Sequence, residues 1–174
     1  IVVCTKCRLS EGRTHAVPGE GDSKADIVFV GEGPGYYEDQ QGKPFVGQAG
    51  QLLNELLESI GLDRNDVFIT NLVKCRPPQN RDPEPNEVST CTSLYLEKQI
   101  DAINPKVIVT LGRHAIREFL PDVGSISQVH GKVFRKGKRY LVALYHPAAA
   151  LHQGNLKEQL KKDFQVLTKV LKTI

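Results

Sequence analysis

Residues 27–39 read IVFVGEGPGYYED, and their reading decides the fold. A run of β-branched and aromatic residues passes straight into a glycine-rich turn, where α/β proteins set a binding loop at the end of a parallel strand. The strand is predicted over 26–31, DIVFVG. Three further runs share its character: VFITNLV (67–73), KVIVTLG (106–112) and YLVALYH (140–146). Uninterrupted runs of this kind suit strands buried on both faces.

Helical patterns fill the intervals. Leu52, Leu53, Leu56, Leu57 and Ile60 repeat at helical spacing and stop at Gly61, a predicted C-cap. Val88–Ile103 and His114–Leu120 predict two more helices. Leu156, Leu160, Phe164, Leu167, Leu171 and Ile174 form the stripe of an amphipathic closing helix. The alternation predicts an α/β fold, with helices on both faces of a four-stranded parallel sheet. No repeat or long linker divides the chain, so 1–174 is read as one domain.

The 174 residues are 40% apolar, enough for a real core, and no run approaches the length of a membrane span. The opening IVVCTKC has neither the basic start nor the apolar length of a signal peptide, so a cytoplasmic location is expected. The chain contains no methionine, as expected of a trimmed or engineered sequence. A net charge of +3 is compatible with a polyanionic partner and does not require one.

Four cysteines, Cys4, Cys7, Cys75 and Cys91, form one C-x-x-C knuckle and one wide pair. Basic residues flank the first three and threonines flank the fourth, whereas thiols buried as small hydrophobes sit in apolar runs. The pattern points to a four-thiolate metal site rather than disulfides. Zinc and an iron–sulfur cluster both accept such ligands, and the single knuckle favours the cluster.

The glycine loop does not suit phosphate. Gly31, Gly33 and Gly35 do not match the dinucleotide or Walker spacing, Pro34 removes an N–H donor, and Glu38 and Asp39 would repel an anion. The loop suits instead a polar ligand that needs close backbone approach and a carboxylate. GEGPG follows the first strand, Asn71 ends the second and HPAAAL follows the fourth, so they are expected to converge on one pocket.

In this order, GEGPGYYEDQQGKPFVGQAG, NLVKCRPPQNRDP and YHPAAAL resemble the family 4 uracil-DNA glycosylases, iron–sulfur enzymes that excise uracil from DNA. The resemblance runs from CTKC to the closing helix. It implies a three-layer α/β/α fold around a four-stranded parallel sheet, and a 4Fe–4S cluster on Cys4, Cys7, Cys75 and Cys91. It also implies base flipping, hydrolysis of the glycosidic bond of uracil and an abasic product. On that resemblance Phe45 stacks on uracil, which overrides its reading as an isolated core residue. Asn71 reads the base edge, and Glu38 excludes the thymine methyl where Gly35 leaves space. Gly33 stands where family 1 enzymes carry a water-orienting aspartate. His146 faces O2 of the leaving base, Asn80 holds the attacking water, and Glu32 either supports the sugar cation or braces the loop.

Leu151, in AAALHQGN, is expected to wedge into the vacated stack, with Arg76 and Arg81 gripping DNA. Lys132, Arg135, Lys136, Lys138 and Arg139 crowd a predicted hairpin that could touch phosphate. A monomer acting on uracil-containing DNA is expected. The competing readings are a relative acting on hypoxanthine, on thymine mispairs or by cross-linking, a DNA-binding module without chemistry, and a zinc-stabilised binding protein. The cross-linking branch carries a basic, histidine-containing insertion that this chain lacks.

Overall fold

The β-branched runs become the middle of a sheet because each offers apolar side chains to both faces. In the computed structural model, which describes residues 1–151 and 153–173, Val28, Val30 and Ile108 pack on one side of the sheet, and Ile27, Phe29, Val107 and Val109 on the other. The strands are β1 (Glu20–Gly21), β2 (Ile27–Gly31), β3 (Phe68–Asn71), β4 (Val107–Leu111), β5 (Val133–Lys136) and β6 (Arg139–Leu144). They lie in the order β1-β3-β2-β4-β6-β5. β3, β2, β4 and β6 are mutually parallel and are the four predicted strands.

The sheet nevertheless has six strands rather than four. β1 and β5 are antiparallel edges. β1 is two residues long and has no alternation to read. β5 is the outer arm of the predicted hairpin, which turns at Gly137 (φ +60°) with Lys136 opposite Arg139.

Nine helices lie among the described residues: α1 (Leu9–Gly12), α2 (Tyr36–Gln41), α3 (Gln48–Glu58), α4 (Pro85–Cys91), α5 (Glu97–Ile103), α6 (Arg113–Phe119), α7 (Ile126–Val129), α8 (Pro147–Ala150) and α9 (Gly154–Leu171). Residues of α3 and α9 cover one sheet face, and residues of α5 and α6 the other, which gives the three layers. The closing helix carries its stripe inward through Leu160, Phe164 and Leu167, while Ile174 lies outside the described residues. α3 ends as predicted: Gly61 takes φ +75° and Leu62 N–H reaches back to Leu57 O at 3.1 Å.

The predicted helix over 88–103 is interrupted. α4 passes into a π-turn at Thr92–Leu96 before α5, directly after Cys91. A π-turn inserts a residue and re-aims the helix, and such turns often accompany functional sites. No described helix is long and apolar enough to cross a membrane.

Candidate active site

The carboxyl ends of β2, β3 and β6 open on a cavity of about 390 Å³. The three predicted segments do converge there: Glu32, Gly33, Gly35 and Glu38 after β2, Asn71 at the end of β3, His146 and Ala148 after β6. Phe45 comes from the turn before α3, Ala49 from the first turn of α3, and Pro77, Asn80 and Arg81 from the Pro-rich loop. Gly31 and Asn71 stand opposite each other in the parallel ladder, and Leu72 N–H to Gly31 O and Val73 N–H to Glu32 O extend the pairing into the loops. The pocket walls are thus continuations of strands.

Asn71 is 2% exposed, and its Oδ1 has no hydrogen-bond partner. An orphaned acceptor in a cavity wall is costly unless a ligand completes it. A Cβ at Gly31 would collide with Asn71 Oδ1 and the Phe45 ring, so only glycine lets these two side chains close on the strand end. Behind Asn71, the fully buried Lys74 donates from Nζ to Asn71 O at 2.8 Å and Thr70 Oγ1 at 2.6 Å. Burial pulls Lys74 down to about 7, against the opposing pull of Cys91.

Phe45 serves core and cavity together. Only 6% exposed, it belongs to the main apolar cluster, yet it lines the cavity and stacks on His146, with centroids 5.5 Å apart and planes at 25°. Its φ of +51° is unusual for a bulky residue and costs on the order of 1–3 kcal/mol. The strained turn is held by Arg64 bonding to Pro44 O and by Gly50, where a Cβ would strike the Phe45 backbone.

His146 caps α8 by accepting Ala148 N–H on Nδ1 at 3.1 Å. In the neutral ring the proton therefore sits on Nε2. Burial pushes the imidazole down to about 4, with Glu38 opposing, so the ring is neutral at ordinary pH.

Glu38 Oε1 accepts the backbone N–H groups of Val46 and Gly47 at 2.9 and 3.0 Å. Its Oε2 lies 2.8 Å from where a Cβ at Gly35 would stand, so the carboxylate fills the space that Gly35 leaves. A Cβ at Gly33 would press Val73 Cγ2 at 2.8 Å.

The Pro-rich loop spends its polar groups differently from the sequence expectation. Asn80, at φ +55°, lines the cavity, but its Oδ1 accepts Arg76 Nε–H at 2.7 Å. A water at Asn80 would therefore meet mainly amide N–H donors. The Arg76 guanidinium also lies over the Tyr36 ring, 5.1 Å from its centroid. Arg81 forms a two-pronged bond to buried Glu87 at 2.8 and 2.9 Å, which braces the loop and compensates its charge. Leu151 is exposed at the end of α8, and its neighbour His152 lies outside the described residues. The basic hairpin turns at the amino end of β6, opposite the cavity, and Lys136 and Arg139 bond to Phe119 O and Asp101 there.

Sequence reading missed His114 and Asp82. His114 opens α6 just beyond β4, the one central strand whose carboxyl end was given no part in the pocket. Its Nε2 lies 3.7 Å from Glu32 Oε2 and 3.2 Å from Asp82 Oδ2. The Glu32 carboxylate makes none of the loop-bracing bonds that were one of its two expected roles; only its backbone pairs, with Val73. Burial raises its pKa, with His114 and Arg113 pulling it down and Asp82 pushing it up.

The cysteines are all free and line a single cavity. Arg13 donates to Cys75 Sγ at 3.1 Å and Lys74 N–H to Cys91 Sγ at 3.3 Å, the bonds that bound thiolates require. Burial raises Cys75 and pushes Cys91 up to about 11, so it is a metal that would ionise them. No three sulfurs among the described residues lie mutually within 4.8 Å. Tetrahedral zinc, with Zn–S near 2.3 Å, needs sulfurs about 3.8 Å apart. Four thiols around one cavity are a donor set that fits an iron–sulfur cluster.

A family model described as the uracil DNA glycosylase superfamily matches residues 18–171. A type-4 uracil-DNA glycosylase of Sulfurisphaera tokodaii is 52% identical over 174 residues, covering 95% of this chain and 79% of that protein. One from Archaeoglobus fulgidus is 52% identical over 95% of this chain and 86% of its own length, and one from Saccharolobus solfataricus 50% identical over 97% and 82%.

Proposed function

The chain belongs to the uracil-DNA glycosylase superfamily, and on that premise we propose that it flips uracil out of DNA and hydrolyses its glycosidic bond, leaving an abasic site. The observation that carries the reading is the orphaned Oδ1 of Asn71 in the cavity wall. Uracil supplies the missing donor, N3–H, and its O4 accepts from the same amide. Cytosine reverses both groups, leaving buried polar atoms unpaired and the base rejected.

Phe45 and His146 frame the base. Stacking on an aromatic ring stabilises a flipped base by roughly 1–3 kcal/mol. The Glu38 carboxylate above Gly35 stands against the thymine methyl, and Gly33 and Gly35 keep the loop thin enough for the base to approach the backbone. As the C1′–N1 bond lengthens, negative charge gathers on the uracil oxygens. His146 Nε2–H, fixed by the Ala148 bond, donates to O2 without giving up its proton. On the sugar side Glu32 faces the growing cation, and Asn80 holds the water from its amide side. Leu151 fills the gap in the stack, and Arg76 supplies phosphate contact.

Cys4, Cys7, Cys75 and Cys91 would hold a 4Fe–4S cluster, whose chemistry here is structural bracing. Arg13 and the Lys74 N–H receive its thiolates, and Cys75 and Cys91 close the loop that carries Asn80. One complete cavity per chain makes a monomer sufficient, and a DNA substrate supports a cytoplasmic location.

The test is alkali-revealed cleavage of matched oligonucleotides containing uracil, thymine, cytosine or hypoxanthine, in EDTA. Cleavage confined to the uracil strand is expected. Cleavage only at hypoxanthine would transfer the pocket to another damaged base, and no cleavage by folded protein would leave a binding role.

A further inference from the structure

Glu32 and Asp82, from two loops, and His114, from the first turn of α6, lie far apart in the chain, yet their ligand-type atoms all lie within 4.8 Å of one another. Only Glu32 lines the cavity. Asp82 is also 2.5 Å from the Arg113 guanidinium, and Arg113 Nε lies 3.0 Å from His114 Nε2. The guanidinium already contacts two of the three, Asp82 and His114, so the group is read as a charge network rather than a cation site. His114 Nε2 sits between one donor, Arg113, and two acceptors, Glu32 and Asp82. Neutral, it takes the arginine N–H; protonated, it presents a cation to both carboxylates.

The reaction needs a proton acceptor beside the water. Asn80 is poorly suited, because an amide is a poor proton acceptor and Arg76 already takes one lone pair of its carbonyl. Glu32 is the cavity carboxylate with neither oxygen bonded to a backbone N–H, whereas Glu38 Oε1 takes two. We propose that Glu32 accepts the proton of the attacking water and that His114 and Asp82 are positioning residues that set its ionisation with opposite sign. The proposal rests on the uracil reading above. In the step, the water oxygen bonds to C1′ while the C1′–N1 electron pair leaves with uracil. The water proton passes to Glu32 and later to solvent, and solvent protonates the uracil anion.

The sign follows from the charges that face Glu32. Burial disfavours its ionised form, protonated His114 and Arg113 favour it, and Asp82 disfavours it. Removing the histidine should make the carboxylate harder to ionise. Removing the Asp82 charge should make it easier, and the freed Arg113 acts in the same direction.

Single-turnover uracil release, measured against pH, tests this with wild type, His114→Gln, Asp82→Asn and Glu32→Gln. Wild type should lose activity toward acid, above the separate His146 transition near 4. His114→Gln should move that limb up and Asp82→Asn should move it down, each by on the order of half a pH unit. Glu32→Gln should be slow and should lack the limb. Neither positioning variant should change affinity for the uracil oligonucleotide, because neither residue lines the cavity. Shifts of the same sign, or limbs that coincide with wild type, would overturn the proposal, as would a Glu32→Gln variant that keeps the limb. No uracil release by wild type at any pH would instead overturn the functional reading, so the two failures are distinguishable.

Discussion

The cavity proposed for uracil and the cysteine cavity share one short stretch of chain, with Asn71 in the wall of the first and Cys75 in that of the second. They are finished to different degrees. In the first, strand ends, Gly31 and the Glu38 bonds fix each wall, and what remains open is an acceptor matched to a ligand. In the second, Arg13 and the Lys74 N–H already face sulfur, yet burial holds Cys75 and Cys91 protonated and the sulfurs stand apart. A site that binds and releases its ligand each turnover gains from being built before the ligand arrives. A site that keeps its ligand can leave the ligand to complete the fold.

The strongest attack on the first half of this contrast is His146→Ala. It removes a donor to developing charge, and uracil release should fall about 10²–10³-fold under single turnover with nearly unchanged affinity for uracil DNA. Equal losses in both would make His146 a structural cap of α8.

Asn71→Asp replaces a donor by an acceptor. Uracil release should drop on the order of 10²-fold and selectivity over cytosine should narrow. Unchanged rates and selectivity would remove Asn71 from base reading.

For the cysteine cavity the effect is on stability. Cys75→Ala should bleach the visible absorbance and lower stability by about 3 kcal/mol, several degrees in melting temperature for a chain of this size. A coloured variant as stable as wild type would take Cys75 out of the ligand set.

The smallest expected effect is a pH dependence. The unfolded chain protonates His146 near 6.5 and the folded chain only near 4, so between those values the unfolded state binds more protons. Stability should fall as pH drops through that window, and His146→Gln should flatten the fall in urea midpoints. Identical slopes would mean that the ring is solvated.

What the sequence made legible was whatever periodicity or strand position encodes. Runs such as IVFVG and VIVTL announce a buried parallel sheet, and Asn71 and His146 stand out by their places at strand ends. Pairings between distant loops carry no local signal. Nothing near Asn80 says that Arg76 occupies its carbonyl, nor near Arg81 that Glu87 takes its guanidinium. The left-handed backbone of Phe45 follows from Gly50 and Arg64, elsewhere in the chain. The two-residue β1 is too short for any pattern, and the charge of the basic hairpin was readable where its end of the sheet was not.

The central claim is that Asn71 Oδ1 waits for the N3–H of uracil. The most direct measurement is the ratio of release rates from matched oligonucleotides carrying uracil or N3-methyluracil. The account predicts a fall of at least about 10²-fold for the methylated base, largely erased in Asn71→Ala, whose rates on both should be low. Comparable release of both bases by the wild-type protein would contradict it.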